Sequence, residues 1–143
     1  MTRLIFAALL LAVGFGTGAC SKSTTAPTTT TTVAPSSEYF SGTLSPRGTQ
    51  FYSFSVATAG TVSVTLASAA SARIGPALPV QLSIGVGVPS GFDCAVSTAV
   101  NTAPGLAAQL TTSGAASSIY CVNISDPGVL TSDTLFVVRV SHT

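Results

Sequence analysis

Side chains able to do chemistry are few in this sequence. It holds 3 Cys, 1 His and 4 carboxylates in all. Two of the cysteines, Cys94 and Cys121, stand in its later part. A structural zinc site takes four ligands, and only His142 is available to join these two thiols. A redox-active pair is normally spaced C-x-x-C, far closer than these two. The remaining chemistry is a structural disulfide, which persists only in an oxidising compartment. The loop it would close is about 27 residues long, worth roughly 3–4 kcal/mol on a chain-entropy estimate.

The other candidates are weaker. His142 is the penultimate residue, where a chain is expected to be mobile, so it makes a poor general base. A glycosidase needs two carboxyls facing each other. Asp126 and Asp133 flank the turn Pro127-Gly128-Val129-Leu130 and are the closest such pair. Their plainer role is in turns and strand capping. With nearby carbonyls they are also the candidates for a calcium site, which takes six to eight oxygens. No G-x-S-x-G elbow, H-E-x-x-H, P-loop or dinucleotide fingerprint occurs. No cofactor is indicated.

Cys20 belongs to a different context. Residues 1–3 form a short basic segment, 4–15 an apolar run, and 16–19 a stretch of small residues before Cys20. This is the layout of a secretory signal peptide, expected over residues 1–19. The run is shorter than the ~20 residues a bilayer-spanning helix needs. The stretch Thr17-Gly18-Ala19-Cys20 resembles a bacterial lipobox, with Thr17 where Leu is usual. That resemblance implies acylation of Cys20. Ser21, rather than Asp, follows it and points to the outer membrane; otherwise the chain is periplasmic or secreted. Residues 20–37 are then mostly Ser, Thr, Pro and Ala, a composition that buries too little apolar area to fold. They read as a tether, stiffened locally by Pro27 and Pro35.

Composition limits the rest. Hydrophobic residues make up 46% and charged residues only 6%. Beyond Cys20, Lys22, Arg47, Arg73 and Arg139 balance Glu38, Asp93, Asp126 and Asp133. Phosphate neutralisation needs clustered Lys and Arg, so nucleic acid is excluded as a partner. The partners left are the membrane, through the anchor, and a protein or polysaccharide ligand.

Positioning falls to residues 38–143, where apolar and polar residues alternate with period two. Strands are expected at 38–44, 50–56, 60–66, 80–88, 94–100, 106–111, 119–124 and 135–141. In them Tyr52, Phe54 and Val56 share a face, as do Val62, Val64 and Leu66. Leu82, Ile84, Val86 and Val88 read as inward, with Gly85 and Gly87 outward and marking a bulge or close backbone approach. Phe136, Val138 and Val140 also read as inward. Residues 57–60 read as a tight hairpin connection, and 68–79 as a loop with room for one helical turn. Cys121 alternates against Tyr120 and Val122, which puts the disulfide outside the main core. About eight strands with turn residues between them make an all-β, two-sheet, jelly-roll-like sandwich. Phe40 and Phe51 fall off the best inward patterns and are the expected exposed aromatic pair for ligand contact. With no Trp, a carbohydrate-binding face is less favoured.

Three stretches carry a further resemblance: Gly42-Thr43-Leu44, Gln50-Phe51-Tyr52-Ser53-Phe54-Ser55-Val56 and Ala59-Gly60-Thr61-Val62-Ser63-Val64-Thr65-Leu66. Ile119-Tyr120-Cys121-Val122-Asn123-Ile124-Ser125-Asp126 and Phe136-Val137-Val138-Arg139-Val140 extend it. Together they resemble the bacterial pre-peptidase C-terminal domain family. The resemblance implies a β-sandwich and a non-catalytic accessory or adhesion-like role. It differs in that no peptidase precedes the module in this sequence. The expected function is a surface-exposed structural or binding module of the bacterial envelope. The alternative is a small hydrolase of glycan or peptide with an unfamiliar site.

Overall fold

The computed structural model describes residues 33–72 and 80–143. Residues 1–32 and 73–79 lie outside it. So do the expected signal segment, Cys20, most of the tether, and most of the loop expected at 68–79.

Eight strands follow one another: β1 (Ser36–Leu44), β2 (Thr49–Val56), β3 (Gly60–Ser71), β4 (Leu82–Ser90), β5 (Asp93–Thr102), β6 (Leu110–Gly114), β7 (Ser118–Ser125) and β8 (Thr134–His142). They form two antiparallel four-stranded sheets, in the orders β1-β8-β3-β6 and β2-β7-β4-β5. The first strand pairs with the eighth, the second with the seventh, the third with the sixth and the fourth with the fifth. The chain is thus one long hairpin whose tip is the β4–β5 turn. Rolling it up adds the β3–β8 and β4–β7 pairings. This is a jelly roll, the arrangement the alternation anticipates.

Period-two patterning supplies the core. Leu44, Val62, Val64, Leu66, Leu110, Phe136, Val138 and Val140 project from one sheet. Phe54, Val56, Leu82, Ile84, Val86, Val122 and Ile124 meet them from the other. Two facing apolar layers of this kind bury what neither sheet could hide alone.

Four expectations need correction. Residues 57–59 do not close a hairpin: β2 pairs with β7 and β3 with β8 and β6, so the connection crosses between sheets. Two alternating strands around a short turn read the same whether they pair or face each other. β3 does not stop at Leu66 but runs to Ser71, with a register shift between Leu66 and Ser68. Of its alanines, Ala69 is buried and Ala67 exposed. The strand expected at 106–111 lies at Leu110–Gly114 instead. Pro104 and Gly105 break the pattern, and Leu106 is 94% exposed. There the loop caps β3 directly: Gly105 N–H donates to Leu66 O, and Leu66 N–H donates to the Gln109 side chain at 2.8 Å. Val88, finally, is exposed rather than inward. β4 leaves β7 after the Gly87–Cys121 pair, so the hairpin beyond it is a two-stranded ribbon outside the sandwich.

Candidate functional site

The antiparallel registers sort the functional candidates onto two ends of the sandwich. One end carries the connections 45–48, 103–109 and 126–133. The other carries the start of β1, the end of β8, the crossing 57–59, the turn 115–117 and the β4–β5 tip.

At the first end Asp126 sits in the loop that leaves β7. Its Oδ1 accepts N–H bonds from Gly128, Val129 and Leu130 at 2.9, 2.8 and 3.1 Å. Its Oδ2 accepts from Arg47 N–H at 2.8 Å, and its own N–H donates to Gly48 O. Desolvation by burial pushes its pKa up, but the four N–H bonds outweigh this and hold it below the ordinary carboxylate range. The side chain thereby ties two loops together and holds Arg47 in the left-handed region at φ 58°. Donors, not oxygens, surround this carboxylate, the opposite of a cation's shell. Asp133 is exposed and borders a shallow depression with Pro46, Ala72, Thr131 and Ser132. The two aspartates are therefore placed in separate tasks. Among the described residues, no three His, Cys, Asp or Glu side chains gather where they could hold a metal.

At the second end His142 departs from the expectation of a mobile terminus. It is the last residue of β8, pairs with Ser36 and is only 6% exposed. β8 lies between β1 and β3, so both its edges are bonded up to Ser141. His142 Nε2 lies 3.0 Å from Glu38 Oε1, and its ring stacks on Phe54 at 5.7 Å. Nδ1 is buried without a partner. Sequence reasoning missed this pair. Its signal was parity: Glu38 shares the inward phase of Leu44, and His142 that of Val140.

The two phenylalanines do not form an exposed pair. Leu44 is 1% exposed and sets the inward phase of β1, which Phe40 shares. Phe40 stacks on Tyr52 at 5.0 Å and packs against the core. Phe51 is half-buried on the outward parity of β2, in the other sheet. The exposed aromatic of β1 is Tyr39. Tyr52, whose hydroxyl burial pushes up in pKa, lies 3.0 Å from Ser41 O. Gln50 Nε2 donates to Thr43 O. These two side chains cover the free edge of β1, which would otherwise be open to another strand.

Cys94 and Cys121 are bonded, with their Cα atoms 5.9 Å apart. Both sulfurs lie outside the apolar core cluster, although Cys121 has no exposed surface. The bond ties the tip of the β4–β5 ribbon back to β7 at the point where β4 has left it. Two features let the ribbon bend there. Ser97 has no partner opposite β4, and its hydroxyl donates to Val86 O at 3.0 Å. Gly87 passes so close to Ala95 that a Cβ would sit 2.0 Å from its carbonyl oxygen. At the tip Gly91 takes φ 63°, as the first central residue of a two-residue turn requires. Phe92 follows it and is fully exposed, and Val88, further down the same ribbon, is half in solvent. The sequence signal for this tip was Gly91 between two alternating runs. Compared with known proteins, the chain matches no family model and no curated protein.

Proposed function

We propose that the chain is a non-catalytic, surface-exposed module of the bacterial envelope, anchored through an acylated Cys20 and acting by binding or as a structural component. The observation that carries the binding role is the disulfide-tied β4–β5 ribbon, which holds Phe92 wholly in solvent on a rigid scaffold. Rigid aromatic area on a fixed support binds at low entropic cost. The use of the polar groups agrees with this. Asp126 is engaged by four backbone N–H groups, and His142 is wedged between Glu38 and Phe54. The resemblance to pre-peptidase C-terminal domains supports the same accessory role. The lipobox-like Cys20 and the Ser/Thr/Pro tether support the anchor.

The test is a turnover assay of the purified protein on glycans and peptides. The expected result is no hydrolysis above that of a Phe92→Ser, Asp133→Asn double variant. Hydrolysis abolished by Asp133→Asn or His142→Asn alone contradicts the proposal.

A further inference from the structure

We infer that the β4–β5 hairpin is a membrane-facing finger whose tip, Phe92 with Val88 and Pro89, beds into the neutral interfacial layer of the bilayer that carries the anchor. This rests on the anchor reading above. Four observations lead to it.

The first is exposure. Single exposed hydrophobes are ordinary, but here a fully exposed phenylalanine sits in the turn of a ribbon that has left the sandwich and whose β4 strand also exposes Val88 and Pro89, one on each face. The second is support. The Cys94–Cys121 bond fixes the ribbon, so burying the tip orders little that is not already ordered. The third is direction. β1 begins at Ser36 opposite His142, and Ser141 in turn pairs with Ser63 near the start of β3. β4 runs from Ser83, opposite Ser125, towards Gly87, opposite Cys121, and so points its tip to that same end. The chain arriving from the tether and the phenylalanine thus share one end of the fold. The 16 residues from Cys20 to Ser36 reach about 50 Å when extended, ample for the tip to touch the bilayer. The fourth is charge. Among the described residues, the Asp, Glu, His, Lys and Arg side chains at this end are Asp93, next to Phe92 in sequence, and the Glu38–His142 pair. Asp93 disfavours an anionic surface, and no Lys or Arg lies in β4 or β5 to seek one. The chemistry fits zwitterionic or neutral lipid, entered by an aromatic ring at the headgroup level.

The natural sequence has no Trp, so a single indole reports without background. The experiment uses the full chain isolated with its native N-terminus and reconstituted into phosphatidylcholine vesicles. One variant carries Phe92→Trp. A second carries Thr131→Trp, at the opposite end. Flotation and intact mass report the anchor, and indole emission and quenching by brominated lipid report the finger. The expected result is flotation, with a blue shift and quenching for Phe92→Trp and neither for Thr131→Trp. In a Cys20→Ser chain, Phe92→Ser should weaken vesicle binding about tenfold or more, the effect of losing one buried aromatic side chain. Flotation with a Phe92→Trp emission unchanged from water overturns the finger and leaves the anchor standing. A chain without acyl groups whose Phe92→Trp indole still responds to vesicles overturns the anchor and keeps the finger. A blue shift that needs an added protein, or that rises with protein concentration without lipid, overturns the membrane in favour of a protein partner or a second copy.

Discussion

Asp126 shows how one side chain can resemble a catalytic or metal-binding group and serve the fold. Four backbone N–H groups meet its two oxygens, and the loops at 45–48 and 126–130 depend on it. Asp126→Asn keeps an acceptor for Gly128, Val129 and Leu130 but turns an amide donor towards Arg47 N–H. The expected cost is about 1–3 kcal/mol, the price of one buried donor left unmet, read by urea denaturation at neutral pH. The pH dependence has a definite sign. The folded-state pKa lies below the unfolded one, so the stabilisation is complete above the unfolded carboxylate value of about 4. It drains away as pH falls through the folded value. Stability should therefore decline on acidification, and Asp126→Asn should decline less steeply. Equal slopes for the two proteins would show that Asp126 is not responsible.

Among the elements, the β4–β5 ribbon depends most on covalent support. Reducing Cys94–Cys121 frees a loop of 27 residues. On the chain-entropy estimate this removes roughly 3–4 kcal/mol, seen as a lower denaturation midpoint. Amide exchange should quicken first over 88–96, the part that β7 does not pair. Unchanged exchange there would mean the ribbon holds itself. Much of the element level was legible. The inward phases of Phe54 and Val56, of Val62 to Leu66, and of Phe136 to Val140 followed from alternation alone. What alternation cannot report is the partner. A strand carries the same pattern whether its neighbour in sequence lies beside it or across the core, which hid the crossing at 57–59. The bulge at Ala67 is equally invisible, because the extra residue has ordinary composition, whereas the one at Ser97 lies opposite Val86 and Gly87, where the glycines had marked a bulge or close approach. The Glu38–His142 pair escaped for a related reason. Its two residues are 104 apart and meet only once the first and last strands are paired.

At the scale of the whole molecule, the proposed N-terminal address and tether would precede a jelly roll whose two ends differ. One end is laced by Asp126. The other holds the start of β1 and presents Phe92. The chain has few charges with which to steer a partner over distance, so in the proposed binding role contact would come from placement. A lipid on Cys20 would supply that placement, and the Cys94–Cys121 bond fits the oxidising side of the membrane to which it leads. The intact mass of protein extracted from membranes tests both together. The account predicts loss of residues 1–19, added acyl mass on the new N-terminal Cys20, and a deficit of two hydrogens for the disulfide. A full-length or unacylated chain whose Cys94 and Cys121 both take up an alkylating reagent without prior reduction would contradict it.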